Sequence, residues 1–153
     1  MGEVLFYHLT RAPLIETLYT LLDKSLSRGW RAVVQTGMAD RLDDLDLALW
    51  TSRKEGFLPH GTASMGMETE QPVFLTAGTE RPNQPNLVFL VEGAAFDPTE
   101  VSGLDRMCLL FNGHDPEETE AARASWRAAT AAGLTATYWA EGERGWEKKA
   151  SNG

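Results

Sequence analysis

The sequence contains few of the residues from which disulfides and metal sites are built. A single cysteine, Cys108, excludes an internal disulfide, and the apolar run around it predicts a small buried side chain, with a nucleophile as the alternative. The three histidines lie far apart and show no metal-binding spacing. No pair stands out among the 22 carboxylates as catalytic. We therefore expect neither a metal ion nor catalytic residues.

Long hydrophobic runs and an excess of basic residues are also missing. No apolar run approaches the roughly 20 residues that span a bilayer, and no signal peptide is visible at the N-terminus. Lysine and arginine number 14 against 22 acidic residues, which gives a net charge of −8. Broad nucleic-acid binding needs a basic surface, so this balance argues against it. We expect a cytoplasmic protein without membrane contact.

The residues that are present suffice for one folded domain. Hydrophobic residues make up 42% of the 153 residues, and five tryptophans add large apolar side chains. A chain of this size and composition buries a core without help from a disulfide or a metal. We predict a single domain over residues 1–140, followed by a polar C-terminal tail over residues 141–153.

Apolar runs alternate with helical periodicities in the first third of the chain. Strands are predicted over residues 4–7 and 30–35, with a helix between them that starts at Pro13 and a second helix over 40–50 that Asp40 caps. Four more strands are predicted over residues 72–76, 87–91, 104–111 and 134–140. This order predicts an α/β fold with a mostly parallel twisted sheet and helices on both faces.

The helix predicted over residues 115–132 carries the clearest start and stop signals. Asp115 is placed to cap it, and Pro116 fits the first helical position. Glu118 has the spacing of a capping box with Asp115. Gly133 is placed to end the helix.

Sheets of this type often bind nucleotides at the turn after the first strand. Here that turn reads Leu9-Thr10-Arg11-Ala12-Pro13 and contains no glycine. Gly61 and Gly66 have the outer spacing of a phosphate loop, but Met67 and Glu68 follow them instead of a lysine and a hydroxyl residue. We predict a Rossmann-like fold without a nucleotide-binding loop and without a cofactor. A small nucleotide-binding enzyme that lacks a recognisable phosphate loop stays as the alternative.

Three side chains of the last helix form a stripe. Arg123, Trp126 and Arg127 follow one another at i, i+3 and i+4, so with the alanines against the sheet Trp126 lies at the boundary between core and water. An aromatic wall between guanidinium groups suits a peptide that carries an aromatic side chain and a carboxylate. A packing tryptophan beside two solvated arginines is the alternative, and a stacking platform for single-stranded DNA is a third interpretation.

Several segments resemble the chi subunit of bacterial DNA polymerase III holoenzyme. Leu49-Trp50, followed by Gly56-Phe57-Leu58-Pro59-His60, is similar to that family's leucine-tryptophan pair before a phenylalanine-x-proline-histidine loop. Residues 122–127, followed by Ala132-Gly133, resemble its arginine-aromatic-basic helix that ends in glycine. The closing residues 141–149 are similar as well, and the order of elements agrees from end to end.

The resemblance implies a non-catalytic accessory subunit that links the clamp-loader complex to single-stranded DNA-binding protein and meets DNA only indirectly. It implies that the acidic, phenylalanine-terminated tail of single-stranded DNA-binding protein binds at one surface. The tail-binding positions carried over to this sequence are Arg123, Trp126 and Arg127, with Phe111 and Asn112 at the neighbouring strand end.

The resemblance also implies a second surface, which binds the psi subunit of the clamp loader and includes Trp50 and Phe57. This chain departs from the family at the first surface. Where the family often carries another lysine one turn before the arginine, it has Thr119 and Glu120. Lys148 and Lys149 are candidates to supply the missing charge.

Overall fold

The computed structural model describes residues 2–51, 61–62, 72–142 and 145–151. Within these residues, eight strands form one sheet and three α-helices cover it. The strands are β1 (Glu3–Leu9), β2 (Ala32–Thr36), β3 (Gly61–Thr62), β4 (Val73–Thr76), β5 (Leu87–Val91), β6 (Arg106–Asn112), β7 (Thr135–Gly142) and β8 (Gly145–Ser151). The helices are α1 (Leu14–Ser27), α2 (Leu42–Thr51) and α3 (Pro116–Ala131).

The sheet runs in the order β3-β4-β2-β5-β6-β1-β7-β8. Every neighbouring pair is parallel except β7 and β8, which are antiparallel. The strands β2 and β5 are buried at every position, as expected where helices cover both faces of a parallel sheet. The predicted fold class is confirmed.

Each face of the sheet has its own helices. On the α1 face, Leu18 and Leu22 of α1 and Leu49 of α2 pack against the strands. On the opposite side, the α3 face, Ala122 and Ala129 bring α3 close to β6 and β7. Among the helices of the described ranges, none combines the length and the apolar composition of a bilayer-spanning segment.

The start of α3 follows the predicted pattern with one change. The carboxylate of Asp115 accepts hydrogen bonds from the backbone N–H groups of Glu117 and Glu118, at 2.9 and 3.3 Å. The predicted capping box is wrong, because the N–H of Asp115 already donates to the carbonyl of Asn112. The side chain of Glu118 instead accepts from the N–H of Asn112, at 3.2 Å. As a result, Glu118 ties the start of α3 to the end of β6.

Two further predictions differ from the structure at element ends. Asp40 does not cap α2, because Ala39–Arg41 forms a short 3-10 turn that leads into the helix. The polar segment predicted as a C-terminal tail contains β8, which pairs with β7. Trp146 of β8 packs edge-on against Tyr7, with 5.3 Å between the ring centroids. This contact anchors β8 to the core through the α1 face of the sheet.

Candidate functional site

An aromatic cluster lies on the α3 face, where β1 runs between β6 and β7. Its members are Phe6, His8, Phe111, Trp126 and Tyr138. Phe6 is paired with Tyr138 in the sheet, and His8 with Phe111, so the paired side chains project from the same face. Trp126 meets Phe6 edge-on at 5.4 Å between centroids and Tyr138 at 6.2 Å. The cluster thus joins three parallel strands to α3.

Trp126 is half-buried at the edge of this cluster. The two alanines on its helix face, Ala122 and Ala129, are buried against the sheet, so the predicted boundary position of Trp126 is confirmed. One part of the indole rests on Phe6 and Tyr138, and the rest is open to solvent. The exposed part is an apolar wall at the protein surface.

Arg123 and Arg127 project into solvent beside Trp126, with 68% and 67% of their side chains exposed. Each guanidinium lies 3.7 Å from the carboxylate of Glu120. Exposed pairs of this kind contribute about 0–1 kcal/mol. Glu120 therefore weakens the positive charge of the stripe only slightly, and both arginines stay accessible to another carboxylate.

The two predicted positions at the strand end differ in exposure. Phe111 is buried, with 5% of its surface exposed, and stacks on His8 at 5.0 Å between ring centroids. Asn112 is exposed, and its side-chain oxygen accepts a hydrogen bond from the N–H of His114 at 2.9 Å. In the unbound chain, Phe111 supports the aromatic wall from below, and Asn112 faces the solvent beside it.

His8 and Tyr138 belong to the cluster but were missed from the sequence. Nδ1 of His8 lies 2.7 Å from the hydroxyl oxygen of Tyr138. Burial lowers the pKa of His8, with a further lowering from His114, while burial raises the pKa of Tyr138. In the neutral imidazole with its proton on Nε2, Nδ1 of His8 accepts a hydrogen bond from the Tyr138 hydroxyl, which keeps its proton. The signal in the sequence was the alternation along β1 and β7, which puts both residues on the α3 face.

The two lysines of β8 differ in their surroundings. Lys148 is paired in the sheet with Trp139, which packs on the α1 face. Lys149 forms an ion pair with Glu147 of its own strand, with 2.8 Å between Nζ and Oε2. Lys148 therefore lies on the other face from the stripe, whereas the contribution of Lys149 stays a prediction.

The predicted psi-binding residues cannot be assigned contacts. Residue 50 belongs to α2 by its backbone, but the side chain of Trp50 and all of Phe57 lie outside the described residues. Their role stays a prediction.

A second concave region lies at the carboxyl ends of β1 and β6. Such crevices hold the nucleotide in doubly wound folds, and this one has a volume of about 350 Å³. The N–H groups of Thr10, Arg11 and Ala12, in the turn between β1 and α1, all donate to the carboxylate of Glu141, over distances of 3.1 to 3.2 Å. The chain's own carboxylate thus occupies the backbone donors of this turn.

The single cysteine lies in the buried core of the sheet. Cys108 is buried, and burial raises the pKa of its thiol to about 12, so the sulfur stays protonated and unreactive at neutral pH. The prediction of a small buried side chain is confirmed. Among the described residues, no three His, Cys, Asp or Glu side chains are grouped so that they could hold a metal ion.

Comparison with known proteins gives two matches. The family model "DNA polymerase III chi subunit, HolC" matches residues 1–137. The protein "Probable DNA polymerase III subunit chi" of Rickettsia prowazekii (strain Madrid E) is 22% identical to this chain over 102 residues. The aligned part is 67% of this chain and 59% of that relative, so less than two thirds of the relative's length is covered. The family match includes the whole of α3 and its stripe.

Proposed function

Because this chain belongs to the DNA polymerase III chi subunit family, we propose that it is a non-catalytic accessory subunit of the replicative polymerase. In this role it bridges the clamp-loader complex, through psi, to the acidic C-terminal tail of single-stranded DNA-binding protein. We place this activity in the cytoplasm.

The observation that carries the proposal is the half-buried Trp126 between two weakly paired arginines. A C-terminal phenylalanine can lie on the exposed indole surface, where aromatic rings gain contact area without opening a cavity. Arg123 or Arg127 can then hold the terminal carboxylate through two parallel N–H···O bonds. The chain has a net charge of −8, so attraction of an acidic tail depends on these local cations within the ~8 Å screening length of physiological salt.

The arrangement of Glu141 supports a binding role rather than nucleotide chemistry. A phosphate group would have to compete with this carboxylate for the backbone donors of the turn after β1, which make four hydrogen-bond contacts with it. No observation in the described residues favours the alternative of a small nucleotide-binding enzyme. Direct stacking of DNA bases on Trp126 is opposed by the net charge.

The test is binding of a synthetic acidic peptide that ends in phenylalanine with a free carboxylate, measured by calorimetry. The substitution Arg127→Glu should weaken binding by about 2 kcal/mol or more, because it removes a charge-assisted partner and adds repulsion. Higher salt should also weaken binding. Amidation of the peptide's C-terminus should weaken it comparably, because it removes the carboxylate.

Two protein variants serve as controls for this experiment. Arg11→Glu changes the net charge by the same amount at an exposed position in the loop before α1 and should leave the affinity almost unchanged. Glu120→Gln removes the carboxylate that lies near both arginines and should tighten binding. Equal affinity for the free and the amidated peptide would show that the proposed site is wrong.

A further inference from the structure

A second cavity lies on the α1 face, away from the stripe and the crevice. It has a volume of about 380 Å³ and opens beside the C-terminal half of α1, near the first residues of β5 and β6. Its walls include the rings of Tyr7, Phe89 and Trp139 and the buried thiol of Cys108. This volume falls within the range of small-molecule sites, about 300–1,000 Å³.

Three cations line this cavity, and no acidic residue does so among its described lining residues. Lys24 and Arg28 come from α1, and Arg106 comes from β6. Arg106 is paired with Glu3, with 2.9 Å between Nε and Oε1. Lys24 and Arg28 have no carboxylate partner in the part of the chain that the structure describes. Such a group is unusual in a chain with a net charge of −8.

Trp30 holds two of these charges close together. The guanidinium of Arg28 lies 5.2 Å from the centre of the Trp30 ring, and that of Arg106 lies 5.3 Å from it. Both contacts have cation–π geometry. Two like charges on one ring repel each other, and Glu3 compensates only one of them. An anion in the cavity would relieve this repulsion.

Two residues with neutral donor groups, Tyr7 and Trp139, also line this cavity. The indole Nε1–H of Trp139 is buried and has no hydrogen-bond partner in the described residues, although a buried donor is normally satisfied. Burial raises the pKa of the Tyr7 hydroxyl, with Cys108 adding to the effect, so that group remains a donor at neutral pH. The cavity therefore offers positive charge and the Tyr7 hydroxyl together with aromatic walls.

We propose that this cavity binds a small organic anion. Its carboxylate or phosphate group is held by Arg28 and Lys24, and its planar apolar part lies against the rings of Phe89 and Trp139. None of these residues belongs to the proposed tail-binding stripe, so this site is separate from the bridging function. The shared feature of its ligands is an anionic group attached to an aromatic or other flat apolar body.

The test uses the full chain labelled with ¹⁵N and follows the indole N–H resonance of Trp139, which is assigned with Trp139→Phe. Phenyl phosphate and benzoate are the probes, and inorganic phosphate and benzyl alcohol test the anionic and the apolar part separately. We expect a saturable shift of this resonance with one or both aromatic anions. Inorganic phosphate and benzyl alcohol should each bind more weakly than the matching probe.

Matched variants separate specific from general charge effects. Arg28→Gln should weaken the binding of phenyl phosphate about tenfold, because it removes one charge-assisted contact. Arg11→Gln removes the same charge at the other end of α1 and should change nothing. Both residues are exposed, so both variants should fold.

Three outcomes would overturn the proposal. The first is no saturable shift of the Trp139 resonance up to about 10 mM probe, a very weak affinity for a specific site. The second is equal binding of phenyl phosphate by Arg28→Gln and the unchanged chain. The third is a response to a short oligo-dT with none to either aromatic anion, which would assign the cavity to nucleic acid instead.

Discussion

Removal of the Glu141 carboxylate should destabilise the chain through the turn between β1 and α1. In Glu141→Ala, the N–H groups of Thr10, Arg11 and Ala12 lose an acceptor that they contact at 3.1 to 3.2 Å. Hydrogen bonds to charged groups contribute about 1.5–3 kcal/mol each. Two of the three donors are exposed, so water replaces most of their loss, whereas Ala12 is part-buried. We therefore expect the free energy of unfolding to fall by about 2–3 kcal/mol.

Urea denaturation and thermal unfolding measure this loss. For a chain of this length, the expected change lowers Tm by about 5–10 °C. Glu147→Ala is the matched control, because that exposed carboxylate pairs only with Lys149 among the described residues, and it should change stability by less than about 0.5 kcal/mol. Equal effects of the two substitutions would refute the reasoning.

The same variant also probes the crevice. With the carboxylate removed, three successive N–H groups of the turn before α1 are free to meet an anion. Inorganic phosphate should then raise the Tm of Glu141→Ala more than that of the unchanged chain, because a ligand that binds the folded state stabilises it. If phosphate raised both melting temperatures equally, Glu141 would not be occupying an anion site.

Three further results are expected. Burial first and His114 second lower the pKa of His8 in the folded state. The unfolded chain therefore takes up a proton on this residue at higher pH than the folded chain does. The free energy of unfolding should fall as the pH drops below about 6.5, and it should fall less in His8→Gln. Cys108, with a pKa of about 12, should react with a thiol reagent at pH 8 only after unfolding, and rapid labelling of the native chain would contradict its burial. Trp50→Ala should abolish association with psi while leaving the unfolding free energy of the isolated chain nearly unchanged; a large fall in Tm would instead make Trp50 a core residue.

Strong local signals predicted most of the sheet and helices. β5 was predicted over residues 87–91 and has those bounds. An uninterrupted short run of apolar residues is typical of a strand that is buried on both faces. α3 was equally clear, since Asp115, Pro116 and Gly133 act within a few residues of the helix ends. The strand β8 was missed because its residues are mostly polar and exposed, so that pairing with β7 rather than local propensity defines it.

The candidate site was predicted only in part, because local patterns do not contain the contacts between distant segments. Helical geometry gave the position of Trp126 relative to Arg123 and Arg127, because all three lie on one helix. The contacts of Trp126 with Phe6 and Tyr138 depend on the order of strands in the sheet, which no local pattern contains. The carboxylate of Glu141 reaches Thr10 across 131 positions of the chain. Such long-range contacts become visible only with the complete topology.

The central position of β1 has a consequence for the order of folding. β1 lies between β6 and β7, and both of these strands are synthesised long after it. The side chains of Glu3 in β1 and Arg106 in β6, for example, pair across 103 positions. During translation β1 is therefore present before either of the strands that it pairs with. Contacts of such high sequence separation also form slowly. We expect the aromatic cluster to assemble late, because Trp126 and Tyr138 leave the ribosome after most of the sheet. A ribosome-bound chain that stops before β7 should accordingly be sensitive to protease and bind no acidic tail peptide.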